Sequence, residues 1–113
     1  MHEYSVVQSF LEMCEEYVRQ NQCTRVVSAK IKAGVLSGIE LSLFQRALET
    51  FKEESVLKNA EISYLIQPLE LECFKCAQKS TSSKLQIQCP HCLNQDVRVL
   101  DGEEFVLLNL EME

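Results

Sequence analysis

Four of the six cysteines in this 113-residue chain fall into two CxxC pairs, Cys73-Phe74-Lys75-Cys76 and Cys89-Pro90-His91-Cys92. The pairs are separated by 12 residues, a span that lets two tight knuckles face each other and close a tetrahedron of thiolates. A two-residue gap puts both sulfurs of a knuckle on one side of a turn. Four soft anionic ligands suit zinc and leave no position open for a substrate, so the expected site is structural. The competing reading is two redox dithiols or buried free cysteines, but paired knuckles are far more specific than one CxxC. His91 lies inside a knuckle and reads as a solvated bystander beside four better ligands. Cys14 falls on an apolar helical stripe as a small core residue, whereas Cys23 sits in a polar turn.

A second set of donors opens the chain. The amine of Met1, the intervening backbone nitrogen if it deprotonates, and the His2 imidazole can form fused chelate rings around a square-planar ion such as nickel(II) or copper(II). Glu3 adds a carboxylate. The plainer reading is a His and a Glu in a first helical turn, with Glu3 favoured by the helix dipole.

Composition limits what these residues can serve. At 113 residues and 46% hydrophobic, the chain can bury a modest core, with a metal as a staple. Its apolar stretches are short and broken by charge, and it opens on His2 and Glu3 rather than a basic leader, so a soluble cytoplasmic protein with no membrane partner is expected. In a reducing compartment, clustered cysteines read as metal ligands. The net charge of −6 argues against nucleic acid as a partner, since phosphate binding draws on Lys and Arg. Residues 73–100 carry Lys75, Lys79, Lys84 and Arg98 against Asp96, which makes the cysteine segment mildly basic at +3 and leaves −9 elsewhere.

The elements that position these donors follow from periodicity. Val6, Val7, Phe10, Leu11, Cys14, Tyr17 and Val18 form one stripe of a helix over 3–20. Residues 26–35 alternate as a half-buried strand that Gly34 to Gly38 interrupts. Ser37 with Glu40 fits a capping box, and Leu43, Phe44, Ala47, Leu48 and Phe51 form the buried face of a second helix ending near Ser55. A strand is expected over 61–70, its far end at a sheet edge or leaving the sheet because of Pro68. Residues 97–100 and 105–113 read as strands around Asp101-Gly102. The expected fold is α+β, two helices packed on a small mixed β-sheet with an inserted four-cysteine zinc ribbon. The expected domains are 1–70 with 103–113, and the ribbon at 71–102.

Met1-His2-Glu3-Tyr4-Ser5, an amphipathic N-terminal helix and a late pair of CxxC knuckles together resemble the HypA family of nickel metallochaperones for nickel-iron hydrogenase maturation. The resemblance spans essentially the whole chain, including Leu43-Phe44, Ala47 with Phe51, and Glu72-Cys73. It implies His2 as the principal nickel ligand, Met1 giving its amine, and Glu3 completing or tuning the site. Glu40 would be a further carboxylate, although the capping box explains it as well. Cys73, Cys76, Cys89 and Cys92 match the family's zinc ligands. Some members carry a histidine shortly after each knuckle; here Lys79 and Asn94 occupy those regions, which puts a Cys-to-His ligand exchange in doubt. The resemblance further implies a carrier rather than an enzyme, partnered by the maturation GTPase HypB and the hydrogenase large-subunit precursor. Whether urease and its accessory proteins are also served is left open. The rivals are a zinc-ribbon adaptor for nucleic acid or a protein partner, and a metal-dependent hydrolase, for which two histidines in all are scant means.

Overall fold

The computed structural model describes residues 2–82 and 87–113, and of His2 the backbone alone. Helix α1 spans His2–Gln20 and buries Val7, Phe10, Leu11, Cys14 and Val18, while Tyr17 at the rim of the stripe stays 41% exposed. It ends by stereochemistry. Gln22 takes a left-handed φ of 55°, and the amides of Gln22 and Cys23 turn back onto the carbonyls of Arg19 and Val18 at 3.2 and 2.9 Å, closing the last turn without a glycine.

Strand β1 covers Val26–Gly34, with Val26, Ala29, Ile31 and Ala33 buried. Helix α2, Leu41–Phe51, begins later than the capping-box pattern predicts. Gly38 sits at φ +80°, a backbone that cannot enter a helix, so Ser37 belongs to a turn and donates its amide to Gly34 at 3.0 Å. Glu40 is therefore the N-cap and not the third helical residue. The buried face is also narrower than expected. Phe44, Ala47 and Leu48 are buried, but Leu43 and Phe51 are exposed, and a single 3-10 turn at Lys52–Glu54 replaces the expected last helical turn.

The stretch predicted as one strand over 61–70 is two: β2, Glu61–Gln67, and β3, Leu69–Cys73. Pro68 lies between them. It lacks the N–H a ladder needs, and the chain leaves one sheet there and joins another. The short polar strand β4, Lys79–Ser82, then precedes β5, Val97–Asp101, and β6, Phe105–Met112. The first sheet has the order β2-β1-β6 and the second β4-β3-β5. In the second, β3 is central and antiparallel to both neighbours, with Glu72 opposite Lys79 and Cys73 opposite Val97. Alternation buries Leu69, Leu71 and Cys73 along it.

The chain divides into two compact units. The first comprises Met1–Ile31, Ile39–Tyr64 and Leu107–Glu113. Its core centres on the fully buried Phe44, whose ring meets Phe10 and Tyr64 edge-on at 6.0 and 6.3 Å. The second comprises Lys32–Gly38 and Leu65–Val106 and holds all four CxxC cysteines. Here a Cβ on Gly34 would fall 2.3 Å from the Gly102 carbonyl oxygen, so only glycine permits that approach. Lys32 bonds Asp101 at 2.9 Å beside the same crossing.

Candidate metal centre

The two knuckles are built by the same backbone device. In the first, the Ala77 amide returns to the Cys73 carbonyl at 3.0 Å and the Cys73 amide bonds Gln78 at 3.0 Å. In the second, Leu93 returns to Cys89 at 2.8 Å and Cys89 bonds Asn94 at 2.9 Å. Ala77 and Leu93, each directly after the second cysteine, both adopt φ 61°. That left-handed residue reverses the chain so that amides point inward at sulfur. The Lys75 and Cys76 amides each donate to Cys73 Sγ at 3.4 Å.

The turns bring the sulfurs together. Cys73 Sγ lies 3.6 Å from Cys92 Sγ, Cys76 Sγ lies 3.6 Å from Cys89 Sγ, and all four lie within 4.8 Å of one another. A tetrahedron with zinc–sulfur bonds of about 2.3 Å has edges of roughly 3.8 Å, so the four thiols fit zinc in number, chemistry and spacing. Such an ion would cross-link the two turns and lock the ribbon.

The electrostatics alternate within each knuckle. Inward amides from Cys76 and Lys75 hold the Cys73 thiol down at about 6, and the Cys92 and His91 amides lower Cys89 likewise. Cys76 accepts from the Gln78 amide, but burial and the neighbouring sulfurs outweigh this and push it up to about 11. Cys92 accepts from Asn94 and is raised for the same reasons. The inward amides favour one thiolate in each knuckle, and a cation offsets the repulsion that a second beside it meets. A divalent ion supplies that.

His91 is exposed and stands outside the four-thiol group. Cys14 is fully buried, its thiol pushed up to about 12 by burial, and is a core residue. Cys23 faces the Asn21 carbonyl at 3.5 Å.

At the other candidate centre, Met1 and the His2 side chain lie outside the described residues, as does Lys84 of the basic segment. Glu3 and Glu40 do come together, but through the backbone. The buried Glu3 carboxylate accepts the Glu40 amide at 3.2 Å, which is the main cause of its lowered pKa. The Glu40 carboxylate is exposed and accepts the Ser42 hydroxyl at 3.0 Å. Sequence reasoning paired Glu40 with Ser37; a bond arriving from a distant helix leaves no mark in local spacing.

No helix among the described residues is long and apolar enough to cross a membrane. The family model described as "Hydrogenase/urease nickel incorporation, metallochaperone, hypA" matches residues 1–112. Hydrogenase maturation factor HypA of Shewanella oneidensis is 46% identical over 113 residues, covering 100% of this chain and 96% of that protein. The Campylobacter jejuni protein of the same name is 41% identical, with 100% of each covered. The solution structure of the nickel metallochaperone HypA from Helicobacter pylori superposes with a TM-score of 0.67 at 38% identity, covering 97% of this chain and 96% of that one. With two helices, two three-stranded sheets and a four-thiol cluster fit for zinc among the described residues behind these matches, the chain belongs to the HypA family of hydrogenase/urease nickel-incorporation metallochaperones.

Proposed function

We propose that this chain carries nickel(II) on the Met1 amine and the His2 imidazole, with Glu3 completing or tuning the site, and releases it for hydrogenase maturation. The observation that carries the reading is the match of a nickel-incorporation family from residue 1 onward, over the segment that supplies the amine, imidazole and carboxylate. The helix supports it. α1 begins at His2, and the first N–H groups of a helix stand outside the i→i−4 ladder, so a backbone nitrogen there can turn to a metal without breaking a helical bond. Glu40 offers an exposed carboxylate on the same unit.

Cys73, Cys76, Cys89 and Cys92 hold zinc in this reading and act in folding rather than transport. Residues 1–70 with 103–113 then form the nickel part and residues 71–102 the zinc part. The carrier is cytoplasmic and not an enzyme. It meets the maturation GTPase HypB and the hydrogenase large-subunit precursor, and it binds neither nucleic acid nor membrane. Service to urease follows only if its accessory proteins compete for the loaded form. Nickel titration of the native chain, a form extended before Met1 and His2→Ala tests the reading. The native form is expected to bind one nickel tightly and the other two at least about tenfold more weakly, a loss on the order of one 1.4 kcal/mol step. Equal affinity in all three would refute the N-terminal nickel site.

A further inference from the structure

Helix α2 lacks a cap of its own. Its N-cap residue Glu40 makes no side-chain cap bond, and its first turn holds no acidic residue. The first amides of a helix need acceptors, and the cap amide of α2 finds one in Glu3 Oε2 at 3.2 Å, on a residue that is only 9% exposed. In a capping box the reciprocal bond to the cap amide comes from a Glu three residues ahead. Here the same bond comes from 37 residues away, out of the first turn of another helix.

We propose that Glu3 is a positioning residue: its carboxylate caps α2, fastening the nickel-bearing end of α1 to the second helix, and leaves ligation to the amine, backbone nitrogen and imidazole before it. This rests on the nickel reading above for its functional half alone. The carboxylate is held among packed residues by a partner that nickel does not replace. Pulling it onto the ion would leave the cap amide without its acceptor, a cost set against any gained metal bond. The bond also ties Glu3, the last residue of the tripeptide, to the start of α2. Without it the first turn of α1 would fray, as unanchored helix ends do, and the ion would be presented from a mobile tail.

The test uses the full zinc-loaded chain. Amide exchange at Glu40 is read first without nickel, in the wild type, Glu3→Gln and Glu3→Ala. Glutamine keeps an oxygen able to accept the bond and alanine does not. The expected result is Glu40 protection retained in Glu3→Gln and reduced about fivefold or more in Glu3→Ala, the loss typical of a removed cap. Protection unchanged in Glu3→Ala would overturn the cap. Nickel is then added and its visible d–d band recorded, since band position reports the donor set. The band is expected at the same position in the wild type and Glu3→Gln, and a shifted band in Glu3→Gln would make Glu3 a ligand and overturn the positioning role. His2→Ala separates the two claims: a band that survives it refutes the N-terminal nickel site, while the exchange arm still decides the cap.

Discussion

The thiol cluster and the nickel site proposed at the N-terminal tripeptide would meet metal in opposite ways. At the cluster the backbone does the work beforehand: two turns with matching left-handed residues aim amides at sulfur and set the thiols 3.6 Å apart in pairs. An ion there closes a structure and has no reason to leave. At the tripeptide the donors are proposed to come from adjacent residues at the start of one helix, fixed to the rest of their unit through Glu3 and the Glu40 amide. An ion held by one chain end can be handed on. The contrast separates a metal that folds from a metal that is cargo, and it depends on how many distant segments must come together to make the site.

The largest expected effect lies at the cluster. Structural zinc sites of this kind supply on the order of 10 kcal/mol or more of apparent folding free energy, and short loops have little else to replace it. Cys73→Ser, Cys76→Ser, Cys89→Ser and Cys92→Ser should each lose stoichiometric zinc and render the ribbon protease-sensitive. The Phe10, Phe44 and Tyr64 core should persist by circular dichroism. A serine variant retaining full zinc and a resistant ribbon would remove that cysteine from the site.

The next effect separates the ends. His2→Ala should abolish tight nickel binding and leave one zinc per chain; zinc loss in that variant would break the division. An α-amine and an imidazole must shed protons to bind, with unperturbed pKa values of about 7.7 to 8.0 and about 6.5, so nickel affinity should fall with pH through that range. Zinc content, measured in the same samples, should lag behind it.

How far the sequence foretold this contrast depends on the range of the interactions. CxxC spacing is local, and the cluster was legible from it. The apolar stripe of α1 and the alternation of β1 were legible for the same reason, since period and burial are properties of neighbours. The start of α2 was not: Ser37 with Glu40 looks like a capping box until Gly38 turns left-handed and Glu3 supplies the bond from another helix. Leu43 and Phe51 look like core, yet they flank a face whose centre is Phe44, Ala47 and Leu48. β4 is polar and four residues long, too short to show a period, and it exists because β3 offers it a ladder.

A moderate effect is expected within the second unit. Bonding to Asp101 raises Lys32 above its ordinary 10.5, and bonding to Lys32 and then to the Gly102 amide lowers Asp101 below its ordinary 3.8. The sign follows from each shift. The Asp101 contribution is present above 3.8 and lost as pH falls through the depressed folded value; that of Lys32 is present below 10.5 and lost as pH rises through the raised one. Asp101→Asn should therefore flatten the acid limb of a plot of denaturation midpoint against pH. An unchanged acid slope would show that the pair contributes nothing there.

The smallest effect tests whether the two knuckles are equivalent. Ala77 and Leu93 share φ 61°, a conformation that costs a non-glycine residue roughly 1–2 kcal/mol. Glycine removes that cost, but it loses about 0.4–1 kcal/mol through greater freedom of the unfolded chain. The net should be a gain of about 0.8 kcal/mol at each position. Leu93 is 67% exposed and Ala77 is exposed too, so neither substitution gives up much packing. Ala77→Gly and Leu93→Gly, both zinc-loaded, should thus raise the denaturation midpoint slightly and by similar amounts, because the same turn is relieved in each. A loss at Leu93 alone would mean that its side chain supports the second knuckle, and that two turns with one geometry are held by different means.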